Sequence, residues 1–100
     1  MNKIVQAKLQ WLTSAEGGRQ SPPSGPKYTT IVRFESQKET WLKEAWSLVV
    51  EFVDPPDANL SHSVRISFLS ERGPEFLLKP GNSFELMEGI QPVAKGMVVK

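Results

Sequence analysis

Cysteine is absent from the 100 residues, which excludes a disulfide framework and any thiolate metal site. A chain of this length has to be held by one hydrophobic core, and about two-thirds of its unfolded surface suffices for that. Freedom from cysteine suits a reducing compartment, so a cytoplasmic location is expected. Histidine and tyrosine occur once each, which leaves little material for acid–base chemistry. No apolar run approaches the roughly 20 residues of a membrane helix, so no membrane association is expected. Met1 to Gln6 breaks polarity at once, without the apolar stretch of a signal peptide. No Gly-x-x-x-x-Gly-Lys-Ser/Thr phosphate loop occurs, so neither a nucleotide nor another cofactor is expected. Nor is there an excess of one charge: twelve Lys and Arg face eleven Asp and Glu. Residues 1–43 hold seven basic and three acidic side chains, and residues 44–100 hold five and eight. That mild asymmetry falls short of the basic face typical of a nonspecific nucleic-acid binder.

What the chain does have is alternation. Short segments place apolar and polar residues in turn, the period of half-buried strands. The first, about Lys3 to Leu12, puts Val5, Ala7, Leu9 and Trp11 on one face. The second, Tyr28 to Phe34, aligns Tyr28, Thr30, Val32 and Phe34. The third, Trp46 to Val53, aligns Trp46, Leu48, Val50 and Phe52, while Val49 and Val53 suggest a second covered face. Val64, Ile66 and Phe68 point inward from the fourth, and Phe84 and Leu86 from the fifth. The sixth spans about Pro92 to Val99, and its Gly96 suggests close approach of a neighbouring backbone.

Turn chemistry separates these segments. Pro80-Gly81 suits a type II turn, and Glu88-Gly89-Ile90-Gln91 a tight hairpin with Gly89 at the strained position. Asp54-Pro55-Pro56-Asp57 ends the third strand and Gly73-Pro74 the fourth. Thr13 to Lys27 is a long loop with Gly17-Gly18, Pro22-Pro23 and Gly25-Pro26, a length that points to function or mobility. Ser36 with Glu39 has the spacing of a capping box, and Trp41, Leu42 and Ala45 follow at helical spacing. A helical turn and a loop with a packed tryptophan both fit that stretch. Even spacing of short strands indicates one all-β domain over residues 1–100, a sandwich or a barrel.

Two segments resemble a known family. Ala7-Lys8-Leu9-Gln10-Trp11-Leu12, followed by Glu16-Gly17-Gly18-Arg19-Gln20-Ser21-Pro22, resembles the opening of the third, C-terminal domain of elongation factor Tu. Phe84-Glu85-Leu86-Met87-Glu88-Gly89, then Val93, Gly96, Val98 and Val99, is similar to that domain's last hairpin. The resemblance implies a closed antiparallel barrel of about six strands, standing apart from the GTPase domain of the family. It places Lys27 near an arginine that in the family approaches the tRNA acceptor arm. The family's second glycine and arginine in the last hairpin are Ile90 and Gln91 here, so only Glu88 and Gly89 of that turn remain.

These observations predict a non-catalytic binding module. A protein partner is expected at Glu16, Gly17, Gly18, Arg19 and Pro22; alternatively the glycines merely shape the loop and Arg19 pairs locally with Glu16. Weak RNA binding through Lys27, Arg33, Glu88 and Gly89 is the second reading. Trp11, Trp41 and Trp46 suit base stacking, but the apolar faces around Trp11 and Trp46 favour burial. His62 lies between Ser61 and Ser63, yet strand neighbours point to opposite faces and do not form a nucleophile–base pair. A lone histidine ahead of a strand is expected to be solvated. Asp54, Asp57 and Asn59 lack the spacing of a calcium loop, so no metal is expected.

Overall fold

The first alternating segment becomes strand β1, Val5–Trp11, in which every second side chain is buried. The others follow as β2 (Lys27–Phe34), β3 (Trp46–Phe52), β4 (Ser61–Phe68), β5 (Ser83–Glu88) and β6 (Gln91–Val98). The structure is a computed structural model, and it describes residues 2–100. The strands close into an antiparallel barrel in the order β1-β4-β3-β2-β5-β6, with β6 returning to β1. Closure leaves no unpaired strand edge, which a small all-β chain would otherwise have to protect. No helix among the described residues is long and apolar enough to cross a membrane.

The core follows the alternation. Val5, Ala7, Leu9 and Trp11 meet Leu48, Val50, Val64, Ile66 and Phe68 inside, with Phe84, Leu86 and Val98 completing the wall. Phe34 packs against both Phe68 and Phe84, at ring-centroid distances of 6.1 and 5.6 Å. Leu86 and Met87 are both buried although adjacent. A register shift between them in the β5–β6 ladder breaks the alternation there, as a bulge does.

Four expectations need correction. The second face of β3 is not covered: Val49 is half-buried and Val53 exposed, because that face forms the barrel's outer surface. Gly96 admits a side chain rather than a backbone, since a Cβ there would lie 2.3 Å from Cζ of Phe84. Between β2 and β3 the Ser36 capping box does not form, since the 3-10 turn Glu35–Gln37 has no side-chain cap. Helical turns follow it, with Trp41 N donating to the Gln37 carbonyl at 3.0 Å and Glu44 N to the Thr40 carbonyl at 3.3 Å. Trp41 is buried under Arg33, while Leu42 and Ala45 are exposed, so the segment combines a packed tryptophan with short helical turns and has no buried apolar stripe. Finally, His62 is buried.

His62 falls on the inward face of β4 with Val64, Ile66 and Phe68. Its ring stacks on Phe52 with centroids 5.3 Å apart. Trp11 Nε1 donates to His62 Nε2 at 2.9 Å, and His62 Nδ1 lies 2.8 Å from the Asp54 carbonyl. An indole nitrogen only donates, so Nε2 is the acceptor and the proton sits on Nδ1, where it bonds Asp54. Such a histidine is a polar strut between β1 and the loop after β3.

The connections supply the remaining order. Pro80-Gly81 forms its turn, with Gly81 at φ 93° and Asn82 N donating to the Lys79 carbonyl. A 3-10 turn at Glu75–Leu77 buries Leu77 and Leu78, closing one end of the barrel. At the other end lie the Thr13–Lys27 loop, the Asp54–Leu60 connection and the Gly89-Ile90 hairpin tip.

Candidate functional site

The Thr13–Lys27 loop leaves β1 through a capping box. Thr13 Oγ1 accepts from the Glu16 backbone N–H, and Glu16 Oε1 accepts from the Thr13 backbone N–H. The Thr13 backbone N–H, then the Thr13 hydroxyl, which donates to the same Oε1 at 3.1 Å, hold the Glu16 carboxyl below the usual carboxylate range. Glu16 is thus a local strut and does not pair with Arg19, contrary to the local alternative. Gly17 then takes φ 89°, and a Cβ on it would meet Gln91 Nε2 at 2.6 Å. A Cβ on Gly18 would lie 2.4 Å from the Leu12 carbonyl oxygen. Both glycines are required for backbone placement.

That placement aims Arg19 across the barrel mouth. Its Nη1 donates to Glu88 Oε2 at 2.6 Å, and its Nε donates to the Ser21 carbonyl at 3.2 Å. The Tyr28 hydroxyl donates to the same Glu88 oxygen. The guanidinium carbon stands 5.7 Å from the Tyr28 ring centre, within cation–π range. Tyr28 in turn meets Trp11 edge-on at 5.6 Å, which anchors the group to the core. The Tyr28 hydroxyl, then Arg19, holds the Glu88 carboxyl below its ordinary range against the opposing effect of burial. Burial, with donation to Glu88, raises Tyr28. We call this arrangement the clasp.

The clasp joins the two segments that carried the family resemblance, 69 residues apart. Gly89 takes φ 64° at the hairpin tip and leaves Ile90 79% exposed beside the loop. Pro22 is half-buried in the same loop. Glu16, Gly17, Gly18 and Arg19 therefore share one end of the barrel with Glu88 and Gly89. Tyr28 escaped the sequence reading as a site residue because its inward-facing position looked like ordinary core, and its partner lies 60 residues away.

Of the RNA candidates, Lys27 shares the loop end of the barrel with Glu88 and Gly89, and Arg33 stands apart. Lys27 starts β2 with its ammonium 3.9 Å from Glu51, which also pairs with Arg65 at 3.0 Å. Arg33 lies near the other end of β2, roughly 20 Å away at about 3.3 Å per residue. Its guanidinium is held by Glu85 and lies 5.5 Å from the Trp41 ring centre. Arg33 has a carboxylate to itself, whereas Lys27 shares Glu51 with Arg65.

Little at this end is arranged for reaction chemistry. Both nitrogens of His62 are occupied, and the Ser63 hydroxyl accepts from Lys8 Nζ at 3.0 Å. Asp57 Oδ1 accepts from the backbone N–H groups of Asn59 and Ser61, which lower its carboxyl, so it serves a turn. No group of three or more His, Asp or Glu that could hold a metal ion occurs among the described residues. No protein-family model matches the chain, and a search of curated proteins returns no match.

Proposed function

We propose that the chain is a barrel related to the third domain of elongation factor Tu and works as a protein-interaction module. The partner surface is the end formed by the Thr13–Lys27 loop and the β5–β6 hairpin. The observation that carries this reading is the clasp, in which Arg19, Tyr28 and Glu88 fix a long loop against a distant hairpin. A loop held before binding loses less freedom on association, and affinity gains accordingly. Ile90 adds an exposed apolar anchor at the hairpin tip. The closed six-stranded antiparallel barrel, with the two resembling segments in contact, supports the family relation.

Affinity capture from the host, comparing the wild-type chain with Arg19→Ala and Ile90→Ser, tests this. The expected result is one protein retained by the wild type, released by both variants, and bound directly once purified. Urea midpoints of the variants check that the barrel is intact. Filter binding with tRNA over a salt series tests the RNA reading, since phosphate contacts weaken steeply with salt. Submicromolar tRNA binding lost on Lys27→Ala or Arg33→Ala would overturn the protein-partner reading.

A further inference from the structure

A groove of ≈ 680 Å³ crosses the outer wall of the barrel over β1, β6 and β5. Its volume falls within the range of about 300–1,000 Å³ usual for ligand sites. The registers explain its make-up. One cross-strand row sets Gln10 beside Lys95 and Lys95 beside Glu85. The next sets Lys8 beside Met97 and Met97 beside Ser83. Glu35 and Lys38, from the turn after β2, contribute further lining.

Charge is unevenly compensated along this groove. Glu85 is paired with Arg33, and Glu35 with Lys38 at 3.4 Å. Lys8 donates to the Ser63 hydroxyl at 3.0 Å, a neutral partner. Neither Lys8 nor Lys95 belongs to an ion pair among the described residues. The uncompensated charge is therefore positive. Met97, opposite Lys8 and two residues after Lys95, is 46% exposed, a flexible apolar contact beside both charges.

The same facts select the class of occupant. A closed barrel offers no strand edge, so addition of a peptide strand to the ladder is not available and side chains must carry recognition. Single-stranded nucleic acid needs exposed rings for stacking. The one ring lining this groove, Phe84, is 2% exposed beneath Gly96. We propose that the groove is a second binding site, which takes a short acidic segment of a protein partner. Carboxylates of that segment engage Lys8 and Lys95, and an apolar side chain between them covers Met97. The site uses no residue of the clasp and stands whether or not the loop surface binds a partner.

The test uses a fluorescein-labelled hexapeptide carrying three glutamates around one leucine, followed by fluorescence anisotropy. Saturable binding is expected with Kd on the order of 100 μM, weakening as salt rises from about 50 to about 500 mM. Lys8→Glu with Lys95→Glu should reduce affinity about tenfold or more, a difference of about 1.4 kcal/mol. Met97→Ser should weaken the leucine peptide about threefold and leave a serine-substituted peptide unchanged. Should the double variant have an altered urea midpoint, Lys8→Gln and Lys95→Gln replace it, each expected to weaken binding about threefold. Arg19→Ala should bind the peptide as the wild type does. Absence of saturation by about 1 mM peptide, or unchanged binding in the lysine variants, overturns the proposal. Loss of peptide binding in Arg19→Ala with the fold intact also overturns it, moving the site to the loop. Tighter binding of labelled decauridine, abolished by the same lysine substitutions, overturns it in favour of nucleic acid.

Discussion

Replacing His62 with phenylalanine removes two hydrogen bonds, a buried one from Trp11 and a partly buried one to the Asp54 carbonyl. The new ring has a similar shape and can keep the stack on Phe52, now 5.3 Å between centroids. What disappears is the acceptor for Trp11 Nε1, at present 2.9 Å away. Trp11 is 2% exposed, so water cannot readily replace the imidazole. An orphaned buried donor costs about 1–3 kcal/mol. Asp54 is exposed, and its carbonyl can turn to solvent at little cost. The expected loss for His62→Phe is therefore about 1–3 kcal/mol, at roughly 4–8 °C in Tm per kcal/mol for a chain of this size. Trp11→Phe removes the donor and adds a packing loss of its own. The double substitution should lose less than the sum of the singles, by about the worth of the hydrogen bond. Urea unfolding followed by far-ultraviolet circular dichroism measures all four corners without relying on Trp11 fluorescence. Stability of His62→Phe within about 0.5 kcal/mol of the wild type, or strictly additive singles, would refute the assignment of His62 as the acceptor.

Three further outcomes are expected. Phe68→Ala and Phe84→Ala should each cost about 3–5 kcal/mol in urea unfolding, because both rings are buried in the closed core; losses below about 1 kcal/mol at both would contradict that burial. Gly96→Ala should destabilise by about 1–3 kcal/mol, since the added Cβ meets Phe84 Cζ at 2.3 Å. In a Phe84→Leu background that loss should shrink, and an unchanged loss would show that the ring is not the obstacle. Glu88 has a lowered folded-state pKa, so its contribution is complete above the unfolded value, near 4.3, and is lost as pH falls through the folded one. The stability gap between wild type and Glu88→Gln should therefore narrow as urea titrations move from about pH 7 to about pH 3, and a gap constant with pH would remove the carboxylate from the clasp.

Strand positions were legible because alternation is local. Val5, Ala7, Leu9 and Trp11 reveal an inward face through spacing alone, whichever strand comes to lie beside them. Pro80-Gly81 likewise specifies its turn within four residues, because only a glycine adopts the positive φ at little cost. The loop of Glu16 to Arg19 also stood out, through its glycines and length. Its use did not. Arg19 had an acidic neighbour three residues away, yet Thr13 occupies Glu16, and barrel closure delivers Glu88 instead.

His62 shows the same limit from the other side. Its sequence neighbours are two serines; the period of Val64, Ile66 and Phe68 carried back two residues turns it inward, but nothing local points to the tryptophan it bonds, 51 residues distant. The charges follow suit: Lys27 and Arg33 look free in sequence, and cross-strand register gives each a carboxylate. Lys8 and Lys95 look no different, yet neither forms an ion pair: register sets Lys95 beside Glu85, which Arg33 already holds, and Lys8 beside Ser63 and Met97. Which way each side chain faces is fixed by the two-residue period of a strand, and the sequence by itself determined it. Which group it then meets depends on the order and register in which six strands close, contacts made across tens of residues, and only the tertiary structure decided that.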